Sequence, residues 1–208
     1  MLHNAASKLM LAMLVVVLAS AIAASTASAG RISVNVSAIE VLFSALKARA
    51  GAFEVSCPTT LGGTFGSAVI SKLSRIRWGV VYNASLAEAS CTGGSATVLT
   101  ESLPWEIQYS SFSGVLPIIE RISTSVVNAA WEVLINSIKC YLHTTASSPA
   151  KLRFVVESGG AVTGYEAEPN ARIPLTGEAL CAFAGEASLS GVGTVRESRG
   201  APIRITLI

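Results

Sequence analysis

The chain has 208 residues, with 15 lysines and arginines against 13 acids and a formal net charge of +2. No basic run exceeds two residues, which argues against a nucleic-acid partner, because phosphate backbones are held by clustered cations. Every acid is a glutamate, so a Ser-His-Asp triad and an Asp-rich Ca²⁺ loop are both excluded.

At the N-terminus, Lys8 precedes the uncharged apolar run Leu9 to Ala23 and then Ser25-Thr26-Ala27-Ser28-Ala29. That order predicts a secretory signal peptide over residues 1–29, cut between Ala29 and Gly30. The run is shorter than the roughly 20 residues that span a bilayer as a helix, so removal is favoured over an uncleaved signal anchor. No lipid-acceptor cysteine follows it. Beyond Ile39 no apolar run is long enough to span a bilayer, and no stable membrane insertion is expected once the leader is gone. The mature chain, 30–208, has the size of one domain and is expected to be secreted or held at the cell envelope.

Along that chain Ile39, Leu42, Phe43 and Leu46 recur with helical spacing, yet the β-branched and aromatic content of Val41 to Ala48 suits a strand equally. Both readings stand open. Farther on the period is two. Trp105, Ile107 and Tyr109 alternate with Glu106, Gln108 and Ser110, and the same alternation marks Trp131 to Ile135, Leu152 to Val156 and Ile203 to Leu207. Gly62-Gly63, Gly93-Gly94, Ser113-Gly114, Ser158-Gly159-Gly160 and the Gly191/Gly193 pair read as turns between strands. The expectation is an all-β single domain, an antiparallel β-sandwich or partly closed barrel.

Cys57, Cys91, Cys140 and Cys181 all survive cleavage, and export places them where thiols oxidise, so two disulfides are expected. Four cysteines allow three connectivities; pairing of sequence neighbours, Cys57 with Cys91 and Cys140 with Cys181, is weakly preferred. With no C-x-x-C spacing and only His143 left after cleavage, neither a zinc site nor any other metal or cofactor is expected.

Cys57-Pro-Thr-Thr-Leu, Leu99-Thr-Glu-Ser-Leu-Pro-Trp-Glu-Ile-Gln-Tyr, Ser111-Phe-Ser-Gly-Val-Leu-Pro, Ala171-Arg-Ile-Pro-Leu-Thr-Gly and the closing Ile203-Arg-Ile-Thr-Leu-Ile together resemble a group of uncharacterised exported proteins of soil actinobacteria. The resemblance spans most of the mature chain. It implies a bacterial, exported, all-β protein, and it brings no activity and no site residues with it.

The chemistry left open is narrow. His143 has no G-x-S-x-G serine to serve, and it reads as a surface or hydrogen-bonded residue at a strand end. Ser44-Ala45-Leu46-Lys47 matches S-x-x-K, but neither S-D-N nor K-T-G accompanies it. Glu166 and Glu168 share one face of a strand beside Tyr165, the loosest form of the paired acids that glycoside hydrolysis requires. Glu101 and Glu106 flank Trp105 in the most distinctive block and form the candidate surface site, against the alternative that Trp105 is a buried anchor of strand register. Trp78, Trp105 and Trp131 are expected in the core, while Tyr82, Tyr109, Tyr141 and Tyr165 suit either environment. The leading functional expectation is a non-enzymatic binding or interaction module of unknown partner, with a cell-envelope component or a carbohydrate as the candidates. A secreted hydrolase using paired glutamates and a surface protein self-associating through sheet edges are the alternatives.

Overall fold

The computed structural model describes residues 30–115, 118–197 and 202–208, and the expected leader with its cut after Ala29 lies outside them. In chain order the first strands are β1 (Arg31–Val34), β2 (Ala38–Ala50), β3 (Phe53–Phe65), β4 (Val69–Ser71), β5 (Arg77–Leu86), β6 (Ser95–Val98), β7 (Trp105–Ser113) and β8 (Arg121–Val127). There follow β9 (Ala130–Ile135), β10 (Ile138–His143), β11 (Ala150–Val156), β12 (Val162–Ala167), β13 (Ile173–Gly177), the short helix α1 (Ala179–Ala184), β14 (Glu186–Glu197) and β15 (Ile205–Leu207).

Eight of these strands close into an antiparallel barrel in the order β2, β3, β5, β7, β8, β11, β12, β14. Each barrel strand lies beside its predecessor among these eight, an up-and-down meander; β4, β6, β9, β10 and β13 are inserted in its connections, while β1 precedes its first strand and β15 follows its last. Closure runs through β14, which pairs with β2 on one side and with β12 on the other, where Tyr165 faces Gly193 and Ala167 faces Gly191. Through β13 the sheet continues into β10, β9 and β6 at one end of the barrel, while β15, β1 and β4 form a small sheet at the other. Both expected disulfides are present in the neighbour pairing: Cys57–Cys91 ties β3 to the turn after β5, and Cys140–Cys181 ties β10 to α1.

The alternation along each strand explains why the barrel closes. Inward positions are apolar apart from Thr59 and Thr124, and outward ones such as Glu40, Gln108, Ser123, Arg153, Glu166 and Arg196 are polar. A wall of this polarity faces water; transmembrane barrels invert it. Inside, six rings touch in sequence. Tyr109 lies 5.3 Å from Trp78, Trp78 6.3 Å from Phe65, Phe65 6.1 Å from Phe154, Phe154 4.4 Å from Tyr165, and Tyr165 6.3 Å from Phe43. Each such ring contributes about 1.5–3 kcal/mol by burial, and an eight-stranded barrel is just wide enough for side chains to fill. At the end capped by β9 and β10, an apolar cavity of about 20 Å³ remains among Leu46, Val55, Trp131, Leu142 and Leu189. That is room for one water at most, and its lining offers a water no partner.

One open reading is decided and one expectation corrected by β2 and its neighbours. Ile39 to Leu46 is strand, and a β-bulge between Phe43 and Leu46 explains its helical spacing. Ile39, Val41 and Phe43 point inward, the bulge inserts one extra residue, and Leu46 is inward again, so a period of two with one slip imitates a period of 3.6. Gly62-Gly63 and the Gly191/Gly193 pair are not turns; they lie inside β3 and β14. A side chain at Gly191 would meet the carbonyl oxygen of bulged Ala45 at 2.8 Å, and one at Gly63 would meet that of Val80 at 2.8 Å. Glycine there admits close backbone approach at a bulge.

Candidate functional site

Because the interior is filled, a ligand-sized concavity has to be sought on the surface. The outer wall formed by β14, β2, β3 and β5 holds a groove of about 550 Å³. Register places its side chains in rows across the strands. One row is Thr194, Leu42, Thr60 and Ser85, each the lateral partner of the next. Val192, Ser44 and Pro58 line the groove beyond that row, and no charged side chain lines it. Val192 is 66% exposed, an apolar side chain held in solvent on an otherwise hydroxyl-rich wall.

On the other side of that row lie Arg196, Glu40, Gly62 and Asn83. Arg196 binds Glu40 through Nε and Nη2, each 2.6 Å from Glu40 Oε2. Tyr82 is the extra residue of a second bulge, where β3 passes from Gly62 to Gly63 while β5 passes from Asn83 to Val81. Tyr82 is 52% exposed, and its ring edge lies over Gly62, 3.7 Å from where a Cβ on that glycine would stand. The wall thus offers a solvent-facing aromatic ring, a fixed guanidinium–carboxylate pair, a row of hydroxyls and two apolar side chains.

The residues singled out from sequence fall elsewhere. Trp105 is 1% exposed and stacks edge-on to Trp131 at 4.8 Å, so it contributes no surface. Its indole N–H donates to Ser102 Oγ (2.8 Å), whose hydroxyl donates to the Leu99 carbonyl (2.6 Å). Glu101 is exposed in the short 3₁₀ turn before it, and Glu106 is half-buried on the opposite face of β7. The triplet is a register anchor with two flanking acids. Trp78 and Trp131 are also buried, as are Tyr109 and Tyr165. Burial pushes the Tyr109 phenol pKa up; full burial raises that of Tyr165 farther, against a hydrogen bond to Thr124 Oγ1 at 3.0 Å that pulls it down.

Glu166 and Glu168 are each committed to a neighbour. Glu166 accepts from Arg153 Nε across the β11–β12 ladder at 2.6 Å, and Glu168 accepts from Ser123 Oγ at 3.4 Å. Neither lines the groove or the apolar cavity. Ser44 and Lys47 stand on a bulged strand rather than one helical turn apart, and Lys47 binds Glu54 at 3.1 Å. His143 is exposed at the end of β10. Among the described residues no three histidine, cysteine or glutamate side chains gather as metal ligands, and no helix is long and apolar enough to cross a membrane. Sequence reasoning missed Leu42, Thr60, Val192 and Thr194; the two glycine pairs beside them were the available signal.

No family model matches the chain. No curated protein matches it either. Among solved structures, that of DynF from the dynemicin biosynthesis pathway of Micromonospora chersina is similar at 12% identity and a TM-score of 0.32, covering 84% of this chain and 79% of that one. A likeness at that level carries no argument about function.

Proposed function

We propose that the chain is a non-enzymatic, exported binding module whose outer wall, over β14, β2, β3 and β5, takes a neutral saccharide of the cell envelope or its surroundings. The observation that carries this reading is the exposed Tyr82 ring over Gly62, beside the Glu40–Arg196 pair and the Thr194–Thr60–Ser85 row. A sugar ring presents an apolar face that stacks on an aromatic platform, and its hydroxyls exchange hydrogen bonds with fixed polar groups. The uncharged groove lining disfavours ionic ligands, because a desolvated charge there would find no counter-charge. Two disulfides and an all-β barrel suit an oxidising compartment.

The hydrolase alternative is weakened by the commitment of Glu166 to Arg153, and edge pairing has little to work with, since barrel closure leaves the short strands β4, β6 and β15 as edges. Isothermal titration with neutral β-linked hexasaccharides of glucose, xylose and N-acetylglucosamine tests the proposal. At least one should bind, and Tyr82→Ala should weaken it at least tenfold, the loss expected when a stacking contact worth about 1.4 kcal/mol is removed. If none binds, or if Tyr82→Ala binds as the parent does, the reading fails.

A further inference from the structure

The two ends of the barrel differ in charge and in exposed apolar surface. The end carrying β1, β4 and β15 presents Arg31, Lys72, Arg75, Arg77, Arg121 and Arg204. None of the six forms an ion pair among the described residues, and they stand against Glu120, Glu157 and Glu197. The opposite end has the reverse balance: Glu88, Glu101, Glu106, Glu168 and Glu178 stand there against Arg49 and Lys151, none of the seven in an ion pair among the described residues. The basic end also carries most of the large apolar side chains left in solvent: Val69, Leu73, Ile76, Val115, Ile118 and Ile208, of which Leu73 is 65% and Val115 82% exposed.

These groups form one surface. Ile208 exchanges backbone hydrogen bonds with Arg31, and Arg31 faces Ser71 across the β1–β4 ladder. Next along the chain, Lys72 holds its ammonium 4.8 Å from the centre of the half-exposed Phe112 ring. Ser113, beside Phe112, faces Arg121. Ile118 shares a concavity of about 350 Å³ with Leu207 and with Gly159, whose carbonyl accepts from Arg204. Cations thus stand among apolar side chains borne on loops and strand ends, with Glu157 the acid lining the concavity.

We infer that this end docks on an anionic phospholipid surface, the cations meeting headgroup phosphates while Leu73, Ile76, Ile118 and Ile208 enter the headgroup–acyl boundary. The charge identifies the partner as anionic. The exposed apolar side chains select a lipid surface over a nucleic acid, whose phosphate backbone has no use for them. Binding would be peripheral, because the polar outer wall of the barrel has no place in hydrocarbon. The inference goes beyond the saccharide reading and does not depend on it.

Cosedimentation of the full-length exported product with phosphatidylcholine vesicles, with and without a one-third share of phosphatidylglycerol, is the test. Binding should require phosphatidylglycerol and weaken as salt is raised. Replacing Arg31, Arg75 and Arg121 by glutamine should lower the partition coefficient roughly fivefold per cation, about a hundredfold together. Leu73→Ser with Ile118→Ser should also weaken binding, whereas Arg49→Gln with Lys151→Gln at the far end should leave it unchanged. The parent and every variant share one N-terminus, so any contribution of residues 1–29 cancels, and unchanged thermal midpoints show that the surface changes leave the fold intact. Equal binding to both vesicle types, no binding to either, or insensitivity to the three arginine changes would overturn the inference. Duplex DNA binding that persists in the Leu73→Ser/Ile118→Ser variant, with vesicle binding absent, would assign the surface to nucleic acid instead.

Discussion

Phe154→Ala tests the claim on which the location of the binding face rests, that the barrel interior is solid. The Phe154 ring is fully buried between Phe65 and Tyr165, at 6.1 and 4.4 Å, near the middle of the aromatic sequence. Removing it forfeits a transfer term of about 2 kcal/mol. The ring-sized void, roughly 100 Å³ at about 24 cal/mol per Å³, adds about 2.4 kcal/mol, because a closed barrel cannot collapse far around it. The expected loss is therefore about 4 kcal/mol, read as a fall in the urea midpoint with an unchanged slope. The new cavity is apolar and dry, so benzene should raise the melting temperature of the variant and leave the parent unaffected. A loss under about 1.5 kcal/mol, or benzene stabilisation of the parent, would mean that the interior already has free space, and the barrel lumen would then replace the outer wall as the site to examine.

Removing either disulfide, as Cys57→Ala/Cys91→Ala or Cys140→Ala/Cys181→Ala, should cost about 3–4 kcal/mol in guanidinium unfolding, since the bridged residues are 34 and 41 apart and chain entropy scales with that separation. A loss below about 1 kcal/mol in both would show that the bridges constrain the unfolded chain little. Tyr165 and Tyr109 hold their protons more tightly folded than unfolded, so the folded state binds the extra proton as pH rises through the unfolded tyrosine value near 10. Stability should accordingly be independent of these groups below that pH and fall above it. Ultraviolet titration should show the Tyr165 phenol ionising only with unfolding, and its ionisation near pH 10 in the folded protein would refute the burial argument.

Much of the architecture was readable because strand alternation survives wherever the ladder is regular. Trp105-Ile107-Tyr109 and Leu152-Phe154-Val156 are inward triplets of β7 and β11, as their period of two requires. The pairing of Cys57 with Cys91 and of Cys140 with Cys181 follows the weak preference for sequence neighbours. What escaped were features in which backbone irregularity, not side-chain pattern, carries the information. Ile39 to Leu46 read as helix and strand equally because a bulge shifts the phase of the inward positions. Gly62-Gly63 and Gly191/Gly193 mimicked turns because glycine serves tight turns and close strand approach alike, and sequence does not separate the two uses.

The same irregularities explain why the candidate site had no chemical signature. The bulge in β2 places Ser44 and Ala45 where one residue would fit, and β14 follows its displaced backbone only because glycine stands at 191 and 193. The bulge in β5 does the converse on the far side of β3, adding the exposed Tyr82 over Gly62. Two bulges two strands apart bend the sheet between them, and the groove lined by Leu42, Ser44, Thr60 and Thr194 occupies that bend. A search for reactive side chains therefore converges on Glu166, His143 or the Trp105 block, each of which the fold uses locally or leaves isolated. If the wall binds, its affinity depends on where the backbone departs from regular pairing, and a substitution such as Gly191→Val should abolish binding through the shape of the groove without touching any ligand contact.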